Sequence, residues 1–251
     1  MSALEAVAIL AAGVGAGTIN TVVGSGSLIT FPVLVAFGYS PLVANVTNTV
    51  GIFPGSLSGA IGYRRELQGQ RRRMITFGAI SVVGGITGAV LLLALPEAVF
   101  DTVVPIIVGC AVILVLIQPS LNRRLEARDR TLKDARSPWT QAAVYGSGIY
   151  GGYFGAAQGV LLIGILGTGL NEPSLQRVNA LKNVLAMLVN FVSAIVFVFA
   201  ATVAWGAAAL IAAGAVIGGQ IGAGVGRKLP QPVLRGVIVV VGVIAIVALL
   251  T

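Results

Sequence analysis

Between Glu5 and Arg64 lie 58 consecutive residues with no Asp, Glu, Lys or Arg. A soluble domain carries charge at roughly a quarter of its positions, so a stretch this long has no aqueous surface to offer. Later charge-free runs of 23, 21, 35, 44 and 16 residues bring the total to 197 of 251. About 20 apolar residues cross a bilayer as a helix, so these runs accommodate about eight spans and leave almost nothing for a domain in water. A soluble enzyme, a nucleic-acid binder and a receptor with a separate aqueous domain are excluded. The start, Met1-Ser2-Ala3-Leu4-Glu5, has no basic n-region and no small-residue cleavage site, so no cleavable signal peptide is expected.

What the chain lacks narrows its chemistry. It has no histidine, and Cys110 is its only cysteine. An internal disulfide, a cysteine-rich metal site and a histidine proton shuttle are thereby removed, and no metal or cofactor is expected. A membrane-embedded enzyme needs a nucleophile with its base or a pair of buried carboxylates. Neither is visible, so no enzymatic activity is expected. A structural or assembly subunit stays open as a reading of the glycine-rich spans.

The net charge of +8 belongs to loops. Arg64, Arg65, Arg71, Arg72 and Arg73 fall in one, and Arg123, Arg124, Arg128, Arg130, Lys133 and Arg136 in another, together eleven of sixteen basic residues. The positive-inside rule puts both in the cytoplasm. The expected helices are 4–37 (interrupted), 41–62, 74–95, 99–118, 139–170 (interrupted), 174–203, 206–226 and 232–250. Both termini then face the cytoplasm, and Glu97, Asp101, Glu172, Arg177, Arg227, Lys228 and Arg235 face outward. Pro41, Pro96, Pro138, Pro173 and Pro232 sit near helix starts, where proline costs little.

The chain repeats itself at an offset of 134 residues. Gly84-Gly85-x-x-Gly88 recurs as Gly218-Gly219-x-x-Gly222, Leu95-Pro96-x-x-Val99 as Leu229-Pro230-x-x-Val233, and Asn45 as Asn179. Upstream the offset is 133, matching Gly13-x-Gly15 to Gly146-x-Gly148 and Gly26 to Gly159. The expected fold is an all-α integral membrane protein of about eight transmembrane helices in two parallel four-helix repeats, a plan that transporters use. The first repeat spans residues 1–118, a basic cytoplasmic linker 119–138, and the second repeat 139–251.

The first helix of each repeat is too long for one crossing. Residues 4–37 as unbroken helix would run about 50 Å, against a hydrocarbon core of about 30 Å. The breaks are Gly24-Ser25-Gly26-Ser27 and Gly155-Ala156-Ala157-Gln158-Gly159. Unwound backbone followed by a half-helix N-terminus is a ready anion site, and matched interruptions in two halves point to a transporter's binding site. Ser25, Gly26, Ser27, Gln158 and Gly159 are candidates on that ground; a kink without a ligand is the alternative.

The second helix of each repeat carries a polar stripe. Asn45, Thr49 and Ser56 correspond to Asn179, Asn183 and Asn190, each pair 134 apart. Lipid cannot satisfy such stripes, so they line a cavity or join helices. Asn48 and its counterpart Lys182 flank them. Lys182 lies about 12 Å into its span by helix rise, with no carboxylate placed near it. Its partner is a bound anion; alternatively the side chain snorkels or meets helix C-terminal carbonyls. With no intramembrane carboxylate, flux is passive, coupled through Lys182, or accompanied by a proton on the substrate. In the seventh span Gly214, Gly218, Gly222 and Gly226 form small-residue repeats that make either an internal seam or a homodimer seam.

These features in this order resemble one known family. The glycine/serine break followed by Pro32, Ser40-Pro41-x-x-Ala44-Asn45, Gly55-Ser56-Leu57-Ser58-Gly59 before an arginine loop, and Asn179-Ala180-Leu181-Lys182-Asn183 are similar to the sulfite exporter TauE/SafE family. The resemblance implies an inner-membrane carrier, an exporter of small sulfur-containing anions such as sulfite or organosulfonates. The ligand would lie between the two repeats on Ser25, Gly26, Ser27, Asn45, Asn48, Thr49, Gln158, Gly159, Asn179, Lys182 and Asn183. A passive anion channel, or a carrier of thiosulfate or a carboxylate, is the alternative. Beyond a small anion and the lipid bilayer, the only partner expected is a second copy of this chain.

Overall fold

The computed structural model describes residues 1–126, 137–170, 172, 174–224, 236 and 238–240. Of the expected 232–250 span only 236 and 238–240 are described; Arg128, Arg130, Lys133, Arg136, Gly226, Arg227, Lys228, Arg235 and the Leu229-Pro230-x-x-Val233 match lie outside the described residues. Among the described residues every regular element is a helix. The order is α1 (Ala3–Val22), α2 (Ser27–Ala36), α3 (Pro41–Gly62), α4 (Arg71–Ala94), α5 (Glu97–Glu126), α6 (Pro138–Tyr153), α7 (Gln158–Gly169), α8 (Leu175–Ala200) and α9 (Trp205–Gly224). Five of them, α1, α4, α5, α8 and α9, are long and apolar enough to cross a membrane.

Local chemistry sets the helix ends. Ser2 and Glu5 form a reciprocal capping box at the start of α1. Pro41 and Pro138 occupy first-turn positions of α3 and α6. The breaks fall where glycine permits them, with φ of +90° at Gly24 and +76° at Gly155.

Beyond each break the chain takes a different course from the one expected. Gly26 is pressed against the carbonyl of Ala16 and the side chain of Asn20, and Ile29 reaches Gly15. The chain has therefore turned back, and α2 runs down the side of α1 instead of continuing it. The second break behaves alike: Gln158 lies on Gly151, and Gly169 on Thr140. Each long apolar segment is a helical hairpin, not one interrupted crossing.

That reversal changes the topology. Gly13 lies against Ile211, Gly17 against Ala215 and Gly222 against Thr18, so α1 and α9 are parallel. Gly51 also meets Ile211, and Gly55 meets Ala215, so α3 runs the same way. By contrast α3 and α8 are antiparallel: Phe53 stacks on Phe191 at 5.1 Å, Asn190 Nδ2 donates to Ser56 Oγ at 3.0 Å, and Tyr63 packs with Ala180. The helices that the 134-residue offset equates thus point in opposite directions, which corrects the expectation of parallel repeats. The physical reason is parity, because each re-entrant hairpin adds a reversal that a count of apolar spans misses.

Two further expectations fall with it. The N-terminus lies at the end of the bundle opposite to Arg64, Arg65 and Arg71–Arg73, so the positive-inside rule cannot place both in the cytoplasm. Glu172 and Arg177 belong to the basic end, since Glu172 Oε2 is 2.6 Å from Arg73 Nη1, and they do not face the other side. The glycine stripe of α9 is an internal seam at Gly214, Gly218 and Gly222, which pack on Leu10, Val14 and Thr18 of α1.

Candidate functional site

The two hairpin tips meet inside the bundle. Gly159 donates its N–H to the carbonyl of Gly24 at 3.0 Å, and a methyl group on either residue would come within 2.4 Å of the other's Cα. Only glycine lets the two backbones approach this closely. Aromatic packing holds the arrangement: Phe31 of α2 meets Phe154, at the second break, edge-on at 5.1 Å, and Phe100 of α5 lies against both Tyr153 and Phe154.

Lys182 approaches this junction from α8. Its Cδ would lie 2.8 Å from a methyl group on Gly159, and the residue is wholly buried. The ammonium donates to the carbonyls of Asn20 at 3.1 Å and Thr21 at 3.4 Å. These belong to the last turn of α1, where helical carbonyls lack partners and the macrodipole is negative. Asn179 Nδ2 (3.3 Å) and Asn183 Nδ2 (3.2 Å) donate to the same Thr21 oxygen. Three donors from α8 thus cap α1 across the bundle.

The mirror arrangement occurs once more. Asn45 Nδ2 of α3 donates to the carbonyl of Tyr153, the last residue of α6, at 2.9 Å. Thr49 hydrogen-bonds back to the carbonyl of Asn45 at 3.0 Å. Asn48, the counterpart of Lys182, does not reach α6. It donates to Ser27 Oγ at 3.0 Å and accepts from the Thr30 hydroxyl, fixing the start of α2. The ammonium is therefore present on one side of the junction only.

The breaks themselves are unequal. At the second, Gly159 N–H is taken by Gly24, and Gln158 Nε2 folds back onto the Ser147 carbonyl at 3.1 Å. At the first, Ser25 is 1 % exposed and its hydroxyl has no partner among the described residues. The N–H groups of Ser25 and Gly26 likewise meet no acceptor among the described residues. Two N–H groups and a hydroxyl thus stand unmatched at the N-terminal end of α2, next in the chain to Gly24, whose partner Gly159 the Lys182 stem approaches. Such an unmatched donor set complements an anion.

The structure thus brings Ser25, Gly26, Ser27, Asn48, Gln158, Gly159, Asn179, Lys182 and Asn183 around one junction, whereas Asn45 caps the end of α6 and Thr49 bonds back to Asn45 within α3. Sequence reasoning missed Asn20, Thr21 and Thr30. Asn20 carried a signal, as an amide just before a break in a charge-free run; Thr21 acts through its backbone oxygen, which every residue has, and Thr30 through its hydroxyl on Asn48. Ser56 and Asn190 form a separate node at the α3–α8 crossing, where Ser56 Oγ also accepts from Asn20 Nδ2 at 3.1 Å.

Comparison with known proteins agrees in kind. The family model described as "Sulfite exporter TauE/SafE" matches residues 9–249. The chain is 28% identical over 232 residues to "Probable membrane transporter protein YfcA" of Escherichia coli (strain K12), covering 91% of this chain and 83% of that one. It is 24% identical over 241 residues to "Probable membrane transporter protein ORF9" of Sinorhizobium sp, covering 94% and 88%. A "Probable membrane transporter protein" of Haemophilus influenzae is 25% identical over 228 residues, covering 90% and 86%. No solved structure matches.

Proposed function

Because this chain belongs to the TauE/SafE sulfite exporter family and is a multi-pass membrane transporter, we propose that it is a secondary carrier that exports small sulfur-containing anions such as sulfite or organosulfonates across the inner membrane. The observation that carries this reading is the unmatched donor set at Ser25 and Gly26, next to the Gly24–Gly159 junction that the Lys182 stem approaches. A small oxyanion there accepts from the two N–H groups and the Ser25 hydroxyl, and the Lys182 ammonium, now on the Asn20 and Thr21 carbonyls at the end of α1, supplies the compensating charge. Ser27, Asn48, Gln158, Gly159, Asn179 and Asn183 shape the walls, and Asn45, to whose carbonyl Thr49 bonds back, caps the end of α6.

The architecture we favour is eight membrane helices in two inverted halves, with 232–250 as the last. Reciprocal packing supports it: α1 lies along α9 while α6 lies along α4, and Asn45 caps α6 while Asn179 caps α1. Inverted halves meeting at broken helices suit alternating access by rocking of one half on the other.

The test is counterflow of labelled sulfite in proteoliposomes, competed by organosulfonates, thiosulfate and small carboxylates, with Ser25→Ala and Lys182→Ala beside the wild type. Saturable exchange, lost in both variants, is expected and separates a carrier from a channel. Folded wild-type protein that exchanges none of these anions would overturn the reading.

A further inference from the structure

At the basic end the carboxylate of Glu172 lies between two guanidinium groups from distant parts of the chain. Arg73 Nη1, in the first turn of α4, is 2.6 Å from Oε2. Arg177 Nε, in the first turn of α8, is 2.8 Å from Oε1. The Glu172 side chain is 6 % exposed, but the arginine side chains are 27 % and 33 % exposed, so neither is sealed in the core. Gln70 closes the same seam, donating to the carbonyls of Arg177 at 3.0 Å and Glu66 at 2.9 Å.

Packing alone does not require these charges. The 134-residue offset equates Arg73, Arg177 and Glu172 with Ala207, Val43 and Gly38, all uncharged. The cluster is also near the junction along α8, since Arg177 stands five residues before Lys182, about 7.5 Å by helix rise. Two guanidinium forks aimed at one carboxylate match any small anion bearing two oxygens on one centre.

We propose that Arg73 and Arg177 form a second oxyanion-binding site at the basic end, and that the Glu172 carboxylate is its tethered occupant, exchanged for a passing anion. While Glu172 holds both arginines, the starts of α4 and α8 are tied and this end is shut. A small oxyanion that takes the arginines releases the tie. The proposal rests on the carrier reading only for its place on the path, because its binding step is measurable without flux.

The test is thermal unfolding of the purified full chain in detergent against inorganic sulfate, with sodium chloride at matched ionic strength as the blank. Removing the tethered competitor lifts a self-imposed penalty on anion binding, so Glu172→Ala should be half-maximally stabilised at roughly tenfold lower sulfate than the wild type. The gain should vanish in Glu172→Ala/Arg177→Ala and persist in Glu172→Ala/Lys182→Ala. Glu172→Gln, which keeps the side chain's volume, should shift in the same direction. A Glu172→Ala protein that folds only in sulfate would also count in favour. Equal sulfate dependence in wild type and Glu172→Ala, a gain that survives loss of Arg177, or variants that sulfate cannot rescue would each overturn the proposal. Absent sulfite counterflow with these sulfate shifts intact would instead sink the carrier reading and leave this site standing.

Discussion

Gly159 and Gly24 touch backbone to backbone, the N–H of one on the carbonyl of the other at 3.0 Å. A methyl group on Gly159 would lie 2.4 Å from Gly24 Cα and 2.8 Å from Lys182 Cδ. Overpacking of this kind typically costs about 1–3 kcal/mol, and here the strain falls on both hairpin tips. Gly159→Ala should therefore lower the unfolding temperature and abolish counterflow. Gly146→Ala is the control, since a methyl there meets nothing within 4 Å. Equal behaviour of the two variants would remove the junction from the mechanism.

The hairpins put the N-terminus and the α3–α4 loop at opposite ends of the bundle. In a Cys110→Ser background, Ala3→Cys and Gln68→Cys are both exposed positions for a membrane-impermeant maleimide. Sealed vesicles of one orientation should label one variant and protect the other until detergent is added. Labelling of both from the same face would restore the uninterrupted crossing that the span count implies.

Much of this was readable from the residues, and the failures share one cause. The helix expected at 41–62 is found at Pro41–Gly62, because Ser40 and Pro41 fix its start whatever surrounds it. Glycine and serine likewise marked where α1 and α6 stop. They did not say which way the chain leaves, since that depends on Gly26 fitting against Ala16, a tertiary contact with no local signature. The missed reversal then put Glu172 and Arg177 on the wrong side. Lys182 was legible as a charge far from any helix end or carboxylate in the sequence, whereas its present partners, the carbonyls of Asn20 and Thr21, are backbone atoms that no residue letter announces.

The α9 glycines make an internal seam, which separates two outcomes of one substitution. A methyl group on Gly218 would lie 2.1 Å from the Val14 carbonyl of α1. Gly218→Ala should lower the unfolding temperature by several degrees, equivalent to about 1–3 kcal/mol of overpacking. The oligomeric state of the protein that stays folded, measured by light scattering, should not change. Dissociation of an oligomer at unaltered thermal stability would show that this stripe faces another copy.

Lys182 offers a sharper separation of stability from function. Its side chain is wholly buried and, among the described residues, its ammonium is held by carbonyls alone, and burying a charge carries a desolvation cost that such contacts only partly return. Methionine has a similar length and no charge. Because Asn179 and Asn183 still donate to the Thr21 oxygen, Lys182→Met leaves the Thr21 carbonyl capped. Replacing buried charges by apolar residues of like volume is often neutral or stabilising. The expected result is an unfolding temperature equal to or above that of the wild type, with saturable sulfite exchange lost. If instead stability and exchange fall together, Lys182 is a cap for α1 and the anion at the junction must be balanced by the helix terminus and hydroxyl alone.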